Sequence, residues 1–362
     1  MQWLFLIILI PYIYLLVRIY SGLLKIKSYH PGKNPEIFVS LIVSCRDEEK
    51  NLPSLMSDIS GQTYSSDLFE LIIIDDNSSD TTFKVASGFN KIKNLKVFRN
   101  EGTGKKTAIK AGVKASAGTL VITADADCRM GKDWLKAIVS FHHENDTEMI
   151  ICPVKLDSGR GFFHRFQELE FLSLQGITAG TASVGDPVMC NGANLAFLKK
   201  TYLKYSYNMH DELVSGDDVF LLHSIKRESG NRIKWLETGA AMVITCASET
   251  IHSFIRQRAR WISKTGSYSD RSTKILAIVT FVTILVQLLL LVFGLFCPGL
   301  LWVFAVFFAL KSIPDILILS NTTGRYGEKS LMKWFAISQL VYPVYVIATV
   351  YYSLSHRSER QS

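Results

Sequence analysis

Acidic pairs occur at three separate places in this chain, and a Gln-x-x-Arg-Trp element follows the last of them. The pairs are Asp75 with Asp76, Asp125 with Asp127, and Asp217 with Asp218, and the element contains Gln257, Arg260 and Trp261. Each pair follows or interrupts an apolar run, which indicates a strand end or a loop. Carboxylates at such positions can point into a cleft, where they bind cations, accept hydrogen bonds or remove protons.

The spacing of Asp125 and Asp127 suits a hard divalent cation. Two carboxylates one residue apart offer the oxygen ligands that Mg2+ or Mn2+ prefers, and they leave positions for phosphate oxygens. Such an ion would offset the charge that develops on a diphosphate leaving group. Because Asp-x-Asp is also common by chance, the metal site is predicted from its context rather than from this motif alone.

The other acidic pairs each allow a chemical and a structural interpretation. Asp75 and Asp76 can accept hydrogen bonds from a nucleotide base, or they can belong to the cap of a helix that begins near Thr81. Asp217 and Asp218 can remove a proton from an attacking hydroxyl, or they can be first-turn acids that stabilise a helix N-terminus.

Basic and aromatic residues complete the candidate chemistry. Lys105 and Lys106 follow a glycine-flanked loop and can approach phosphates, although a solvated helix face is an equal alternative. Gln257 and Trp261 lie four residues apart beside Arg260, which places them on one helical face next to a cation. The indole can stack on a sugar or base and the guanidinium can hold a diphosphate, whereas anchoring at a membrane surface is the structural alternative.

The middle of the chain alternates between strand-like and helix-like segments. PEIFVSLIVSC, LFELIII and TLVITAD are strand-like, and helix-compatible stretches over 47–59 and up to about Ala117 lie between them. This alternation predicts a parallel sheet with helices on both faces, where ligands bind beyond the carboxyl ends of the strands.

Both ends of the chain are apolar enough to enter a membrane. The uncharged run from Trp3 to Val17 predicts a signal anchor over 1–24 rather than a cleaved signal, because no cleavage-site pattern follows it. Arg18, Lys25 and Lys27 come directly afterwards, so the positive-inside rule predicts a cytoplasmic domain over 35–270.

A C-terminal membrane region is predicted over 275–354, followed by a polar tail over 355–362. It contains either three spans, for a total of four, or two spans with a re-entrant or interfacial segment around Pro314. Lys311 and Asp315 lie one helical turn apart, which favours a structural ion pair over a polar element that lines a path.

Composition excludes several classes of site and partner. The six cysteines have no Cys-x-x-Cys spacing, so neither a zinc site nor a disulfide framework is expected. The net charge of +8 comes without a basic stripe of the nucleic-acid-binding kind, and attraction to anionic lipid headgroups accounts for it.

Taken together, these segments resemble a membrane-bound glycosyltransferase of family 2, related to the cellulose, chitin and hyaluronan synthase group. The resemblance covers about 39–264 and rests on the order of VSLIVSCRDEEKNL, LIIIDDNSSDTT, ITADADC, CNGANLAFLKK, GDDVFLL and QRARW. It implies an α/β fold of the GT-A nucleotide-diphospho-sugar transferase type, a Rossmann-like mostly parallel sheet, with N-terminal and C-terminal transmembrane helices.

The resemblance also implies roles for individual residues. The donor-binding set is Cys45, Arg46, Glu48, Asp75, Asp76, Lys106 and Asp125. The metal ligands are Asp127 and Asp125, for Mg2+ or Mn2+. The diphosphate and acceptor set is Gly192, Ala193, Asn194, Gln257, Arg260 and Trp261. Asp218 stands at the position of the catalytic base, and Asp217 stands where the family commonly has glutamate.

The implied activity is inverting transfer of a sugar from a nucleotide-diphosphate donor, expected to be a UDP-sugar, to a lipid-linked or glycan acceptor. The expected location is the cytoplasmic face of the plasma or inner membrane. A processive synthase that extrudes its product is one alternative. A non-catalytic membrane scaffold or sugar-nucleotide sensor is the other, although it would have no use for Asp218.

Overall fold

The computed structural model describes residues 2–32, 35–208 and 216–356. The chain divides into two compact units. The helical unit comprises Met1–Ile26, Ser158–Val184 and Ala247–Ser362, and the sheet unit comprises Lys27–Asp157 and Gly185–Cys246. The units therefore interleave along the chain, and their limits differ from the predicted boundaries at 35 and 270. Most of the predicted polar tail, from position 357 onward, lies outside the described residues.

The bounds of the elements are as follows. The helices are α1 (Leu9–Lys25), α2 (Leu52–Ser60), α3 (Thr82–Ser87), α4 (Lys105–Ala115), α5 (Trp134–Asn145), α6 (Phe162–Ser183), α7 (Lys199–Tyr205), α8 (Asp217–Ser229), α9 (Ile251–Ile262), α10 (Arg271–Gly294), α11 (Pro298–Arg325) and α12 (Phe335–Ser355). The strands are β1 (Val39–Cys45), β2 (Phe69–Asp75), β3 (Leu95–Arg99), β4 (Leu120–Asp125), β5 (Arg129–Met130), β6 (Met149–Ile151), β7 (Val154–Asp157), β8 (Asn194–Leu198), β9 (Ile233–Trp235) and β10 (Val243–Cys246).

The sheet unit is built on a mostly parallel sheet. Within the described ranges, seven strands form one sheet in the order β3-β2-β1-β4-β8-β6-β9, and three form a smaller sheet in the order β5-β10-β7. In the larger sheet β8 runs antiparallel to β4 and β6, whereas the other neighbouring pairs are parallel. The predicted fold class is confirmed.

Apolar strand residues are buried on both faces of this sheet. Leu41 and Val43 of β1 are fully buried in the core to which α2 and α5 contribute. Ile42 points the other way, since successive side chains of a strand alternate. It lies against Gly112 of α4, where an added Cβ would come within 2.5 Å of Ile42 Cγ2. The continuous apolar runs of the sequence therefore reflect strands covered on both faces.

The register of the parallel strands brings their carboxyl ends to one edge. Cys45 lies opposite Asp75 in the β1–β2 pair, and Asp75 lies opposite Arg99 in the β2–β3 pair. Ser44 lies opposite Asp125 in the β1–β4 pair. Polar residues that are far apart in sequence therefore end their strands side by side.

One helix begins later than its sequence predicts. The charged stretch over 47–59 is helix-compatible, but α2 begins only at Leu52. Asp47 has a φ of 56°, which does not continue a right-handed helix, and its carboxylate accepts a hydrogen bond from the Ser79 backbone. The loop is thus held by contacts with the β2–α3 connection, which local propensity does not predict.

The helical unit contains the candidate membrane spans. In the part of the chain that the structure describes, four helices are long and apolar enough to cross a membrane: Phe5–Lys25, Arg271–Gly294, Pro298–Arg325 and Lys329–Ser355. The segment around Pro314 lies within the continuous helix α11, which favours the four-span alternative. Lys311 Nζ lies 2.8 Å from Asp315 Oδ2, so the predicted ion pair is confirmed.

Helix α6 belongs to the helical unit, although its sequence lies inside the predicted cytoplasmic domain. It approaches α1 at glycine positions. An added Cβ at Gly22 would lie 2.2 Å from the Gly180 carbonyl oxygen, and one at Gly180 would lie 2.5 Å from the Ile19 carbonyl oxygen. Only glycine permits this backbone contact, which is the way closely packed membrane helices approach each other.

A buried ion pair joins α6 to α9. The guanidinium of Arg258 donates to Glu170 from Nε (3.0 and 3.1 Å) and from one terminal nitrogen (2.6 Å). Tyr345 of α12 donates its hydroxyl to the same carboxylate at 3.1 Å. The side chains of Arg258 and Glu170 are only 4% and 5% exposed, so each charge depends on the other for solvation.

We predict that Glu170→Ala lowers the unfolding free energy by about 3–5 kcal/mol, because it leaves Arg258 buried without a counter-charge. Thermal unfolding of the full chain in detergent measures this loss. The exposed Lys204–Glu228 pair provides the control, and Glu228→Ala is expected to leave the midpoint unchanged. An equally small effect of both variants would contradict the prediction.

Candidate active site

The loops that follow β1 and β2 are joined by hydrogen bonds. The Asp47 carboxylate accepts from the Ser79 N–H at 2.7 Å, and the Glu49 carboxylate accepts from the Thr81 N–H at 3.0 Å. The backbone hydrogen bond from Ser79 lowers the pKa of Asp47. Asp47 and Asn77 both have a φ of 56°, a conformation that side-chain-bearing residues rarely adopt. These loops form a fixed rim beyond the strand ends.

Asp75 and Asp76 have different surroundings. Asp75 is fully buried, its Oδ2 accepts from Arg99 at 3.3 Å, and its Oδ1 has no hydrogen-bond partner among the described residues. Asp76 accepts from Asn100 at 2.7 Å and from the Gly104 N–H at 2.8 and 2.9 Å. Asp76 thus holds the loop before α4, whereas Asp75 keeps an unused acceptor.

The predicted donor residues of the β1 end also differ in exposure. Cys45 is buried, and its thiol lies 3.7 Å from the Ile74 carbonyl oxygen. Burial, followed by the charge of Asp75, raises the pKa of Cys45 to about 12, so the thiol stays protonated and acts as a packing group. Arg46 is exposed, with its Nε 3.9 Å from Asp47.

Lys105 connects the acidic groups of the sheet unit. Its ammonium group donates to Asp125 Oδ1. Burial alone would lower the pKa of Lys105, but the charges of Asp125, Asp217 and Asp218 outweigh it and raise the pKa. Three residues from two of the predicted pairs therefore lie within electrostatic reach of one ammonium group. Lys106 is buried, with Nζ 5.7 Å from the centre of the Phe220 ring.

The Asp-x-Asp segment has the donor set of a hard cation. Asp127 Oδ2 accepts from the Thr245 hydroxyl at 2.7 Å, and Asp125 contacts Lys105. Burial, and then the negative charges of Asp127 and Asp125, raise the pKa of Glu48 against the effect of a hydrogen bond from Asn51. These carboxylates repel one another, which a divalent cation would relieve.

A metal ion at this place would take few ligands from the protein. Within the described ranges, no three His, Cys, Asp or Glu residues converge closely enough to hold an ion by themselves. Mg2+ commonly binds through one or two carboxylates and completes its shell with water and substrate phosphates. Asp125 and Asp127 fit that mode of binding.

The Asp217–Asp218 pair occupies the first turn of α8, as its structural interpretation predicts. Asp218 Oδ2 accepts from the Gly192 N–H at 3.0 Å, and Oδ1 accepts from the Val219 N–H at 2.8 Å. The Gly192 carbonyl in turn accepts from the Thr123 hydroxyl of β4 at 2.8 Å. The carboxylate of Asp218 is thereby fixed beside the β4 strand that leads to Asp125.

The other residues of the Gly-Ala-Asn segment are structural in their contacts. Ala193 is buried. The Asn194 amide donates to the carbonyls of Pro153 and Ala241, each at 2.8 Å, and its oxygen accepts from Trp134 Nε1 at 3.0 Å. Because Asn194 is fully buried with these three bonds, it joins β8 to its neighbours rather than facing a ligand.

Gln257, Arg260 and Trp261 lie on α9 of the helical unit. Arg260 is exposed, whereas Gln257 and Trp261 are half-buried. The Arg258 guanidinium lies 4.1 Å from the centre of the Trp261 ring and donates to Gln257 Oε1. Two of the three predicted residues therefore contact Arg258, and one face of the indole is occupied by a cation.

Several contact residues were not predicted from the sequence. Arg99 and Asn100 hold the first acidic pair, Thr245 holds Asp127, and Arg258 contacts Gln257 and Trp261 of the Gln-x-x-Arg-Trp element. Arg99 is the last residue of a strand-like run, and this position could have identified it as a candidate site residue. Thr245 lies 118 residues from its partner, so no local pattern could have done so.

Comparisons with known proteins agree with this fold. The model for glycosyl transferase family 2 matches residues 40–205. The mannosyltransferase PcManGT from Pyrobaculum calidifontis, solved with GDP-Man and Mn2+, superposes with a TM-score of 0.61 over 98% of this chain and 99% of that one. The two sequences are 15% identical, so this similarity concerns the fold.

Curated relatives match parts of the chain. The poly(ribitol-phosphate) beta-N-acetylglucosaminyltransferase TarS of Staphylococcus aureus is 29% identical over 126 residues, 34% of this chain and 22% of TarS. The poly-beta-1,6-N-acetyl-D-glucosamine synthase of Staphylococcus epidermidis is 23% identical over 256 residues, 70% of this chain and 60% of the synthase. The chain thus spans less than two thirds of the length of these relatives.

The resemblance inferred from the order of the acidic pairs is confirmed at the level of the family and the fold. The matched segment, residues 40–205, begins at the second residue of β1 and ends after β8, so it covers most of the larger sheet. The chain carries a glycosyl transferase family 2 domain with a GT-A-like fold, together with helices that are apolar enough to cross a membrane.

Proposed function

We propose that this chain is an inverting glycosyltransferase that moves a sugar from a nucleotide-diphosphate sugar to a hydroxyl of a lipid-linked or growing glycan acceptor. The observation that carries the proposal is the contact of Lys105 with Asp125 at the end of β4, together with the Asp218 carboxylate, which Gly192 holds beside the same strand. Such a group combines the charges that a diphosphate leaving group and a proton acceptor require.

Asp75 is the proposed contact for the nucleotide base. Its Oδ2 is fixed by Arg99, so Oδ1 is a buried acceptor in a defined position. A base that presents an imide or amino N–H would satisfy it. Arg46 and Glu48, on the loop after β1, are proposed to border the nucleotide.

Asp218 is the proposed general base. Its carboxylate takes the proton of the acceptor hydroxyl while the acceptor oxygen bonds to the anomeric carbon and the bond to the diphosphate breaks. The electron pair of that bond leaves with the diphosphate, and the configuration at the anomeric carbon inverts. The hydrogen bond from Gly192 keeps the carboxylate in one orientation, which a base needs for alignment with the attacking hydroxyl.

Asp127 and Asp125 would hold a divalent cation, which when bound neutralises negative charge on the diphosphate. Lys105 and Lys106 add positive charge at the start of α4, where helix N–H groups also favour phosphate. Gln257, Arg260 and Trp261 stay predicted contacts of the diphosphate and acceptor. Arg258 keeps Gln257 and Trp261 in position.

The proposed donor comes from the names of two relatives, and the proposed location comes from the charge pattern near the first apolar helix. The names of two relatives specify N-acetylglucosamine as the transferred sugar, so UDP-N-acetylglucosamine is the first donor to test. Arg18 and Lys25 in the second half of the first apolar helix, and Lys27 just after it, favour a cytoplasmic position for the sheet unit. The reaction would then use cytoplasmic nucleotide sugars and an acceptor at the membrane.

A processive synthase is the second candidate, because the match to the poly-beta-1,6-N-acetyl-D-glucosamine synthase covers 70% of this chain. Product length separates the two. Single-sugar glycolipids would support one addition per acceptor, and long glycans would support the synthase.

We predict that purified full-length chain transfers sugar when it is given lipid extract and a panel of UDP-N-acetylglucosamine, UDP-glucose and GDP-mannose. Asp218→Asn is expected to lower turnover by about 10²–10⁴-fold, as the loss of a general base does, while donor binding persists. Asp217→Asn removes a neighbouring negative charge but not the proposed base, so it should lower turnover far less than Asp218→Asn does. If Asp217→Asn alone abolishes turnover, the base is misassigned. No turnover with any donor would favour a sensor.

Metal dependence gives a second test. Asp127→Asn is expected to abolish turnover that Mg2+ or Mn2+ supports, because it removes one of two carboxylate ligands. Asp146→Asn, at an exposed carboxylate of the same unit, is the control and should behave as the wild type. Activity that persists unchanged with a chelator present would remove the metal from the mechanism.

Asp75→Asn is predicted to weaken UDP binding by about tenfold, since it replaces a charged acceptor of a base N–H by a neutral amide. Calorimetric titration with UDP measures the affinity. Asp67→Asn changes an exposed carboxylate that pairs with Lys93 and should leave the affinity unaltered. Equal UDP affinities of the wild type, Asp75→Asn and Asp67→Asn would show that the nucleotide base does not contact Asp75.

A further inference from the structure

The described part of the helical unit contains a cavity of about 90 Å³ to which α1, α6, α10, α11 and α12 contribute. Polar groups line it together with aromatic rings. The polar residues that matter here are Tyr12, Glu170, Lys311, Asp315, Ser338 and Gln339. A cavity of this size has room for several water-sized groups, so it can take a small headgroup but not a chain of sugars.

The charges of the lining cancel. Lys311 lies 2.8 Å from Asp315, and Asp315 also accepts the Tyr12 hydroxyl at 2.7 Å. Glu170 is compensated by the guanidinium of Arg258, which donates to it from Nε and from one terminal nitrogen. An ion that entered the cavity would meet no uncompensated counter-charge and would lose its hydration. The cavity therefore selects an uncharged occupant.

The lining nevertheless retains capacity for hydrogen bonds. Ser338 is 8% exposed, and its hydroxyl has no partner in the described part of the chain. Lys311 donates one hydrogen bond, to Gln339, and pairs electrostatically with Asp315, whose Oδ2 also has no hydrogen-bond partner among the described residues. Buried polar groups are normally satisfied, so an unpartnered hydroxyl that lines a cavity indicates a bound polar group.

The helices that line the cavity indicate the source of the polar group that it would bind. Tyr12, Lys311, Asp315, Ser338 and Gln339 all lie within candidate membrane spans. Ionisable residues inside membrane segments are costly and mark functional sites by default. Helices that span a membrane are surrounded by lipids, and an uncharged lipid headgroup enters the apolar region at lower cost than an ionic one.

We propose that this cavity binds the uncharged, hydroxyl-bearing headgroup of a membrane lipid, of the glycerol type. Ser338 donates to and accepts from the headgroup hydroxyls, Lys311 offers an N–H donor, and the ring of Tyr12 covers the glycerol carbons. The proposal does not depend on the transfer activity, because the binding is measured without nucleotide sugar.

The test uses the full chain in phosphatidylcholine nanodiscs and native mass spectrometry with dioleoylglycerol as the probe. Free glycerol and dioleoylphosphatidic acid are the comparison ligands. We expect saturable binding of one dioleoylglycerol to the wild type. Ser338→Leu, which fills the cavity, should weaken this binding at least about tenfold. Ser338→Ala, which removes one hydroxyl and no existing bond, should weaken it about threefold to tenfold.

Ser312→Ala is the matched control. Ser312 lies on α11, is equally buried and also lacks a partner among the described residues, but it does not line the cavity. Its variant should bind as the wild type does. Equal binding by all four proteins, tighter binding of phosphatidic acid, or no saturable binding of dioleoylglycerol would overturn the proposal. Binding of free glycerol with the same affinity would retain the headgroup chemistry and reject a lipid as its source.

Discussion

The candidate active site depends on the register of the parallel strands. The Ser40 hydroxyl donates to Glu70 of β2 at 2.6 Å and accepts from the Gly118 N–H at 2.8 Å, which ties the starts of three neighbouring strands together. Gly118 is required there, since a Cβ would lie 2.6 Å from the Ser40 backbone nitrogen. A shift of one residue would reverse every side chain of a strand, so this contact also sets the position of Asp75 and Asp125.

Electrostatic balance decides how the gathered carboxylates can coexist. Glu48, Asp125 and Asp127 lie close enough to raise the pKa of Glu48, and Lys105 compensates part of their charge. Preorganised charges of this kind are useful to a leaving group that becomes more negative during a reaction.

The helical unit uses buried polar pairs where apolar contacts alone give little specificity. Helices surrounded by lipid gain little from hydrophobic burial against each other, so close backbone packing and hydrogen bonds determine which helices associate. Gly22 and Gly180 supply the packing between α1 and α6. Hydrogen bonds from Arg258 to Glu170, from Tyr12 to Asp315 and from Lys311 to Gln339 connect α9 with α6, α1 with α11 and α11 with α12.

The sequence by itself determined the fold class, the apolar helices and the family, because apolar periodicity and the order of short motifs are local properties. It also predicted the Lys311–Asp315 pair, whose members lie one helical turn apart. Only the tertiary structure distinguished the two members of the first acidic pair. Asp75 keeps one oxygen without a partner among the described residues, whereas Asp76 holds the loop before α4. Their partners come from the end of β3 and from the loop after it. The tertiary structure likewise assigned α6 to the helical unit. Such outcomes depend on contacts between residues far apart in the chain, and no local pattern records them.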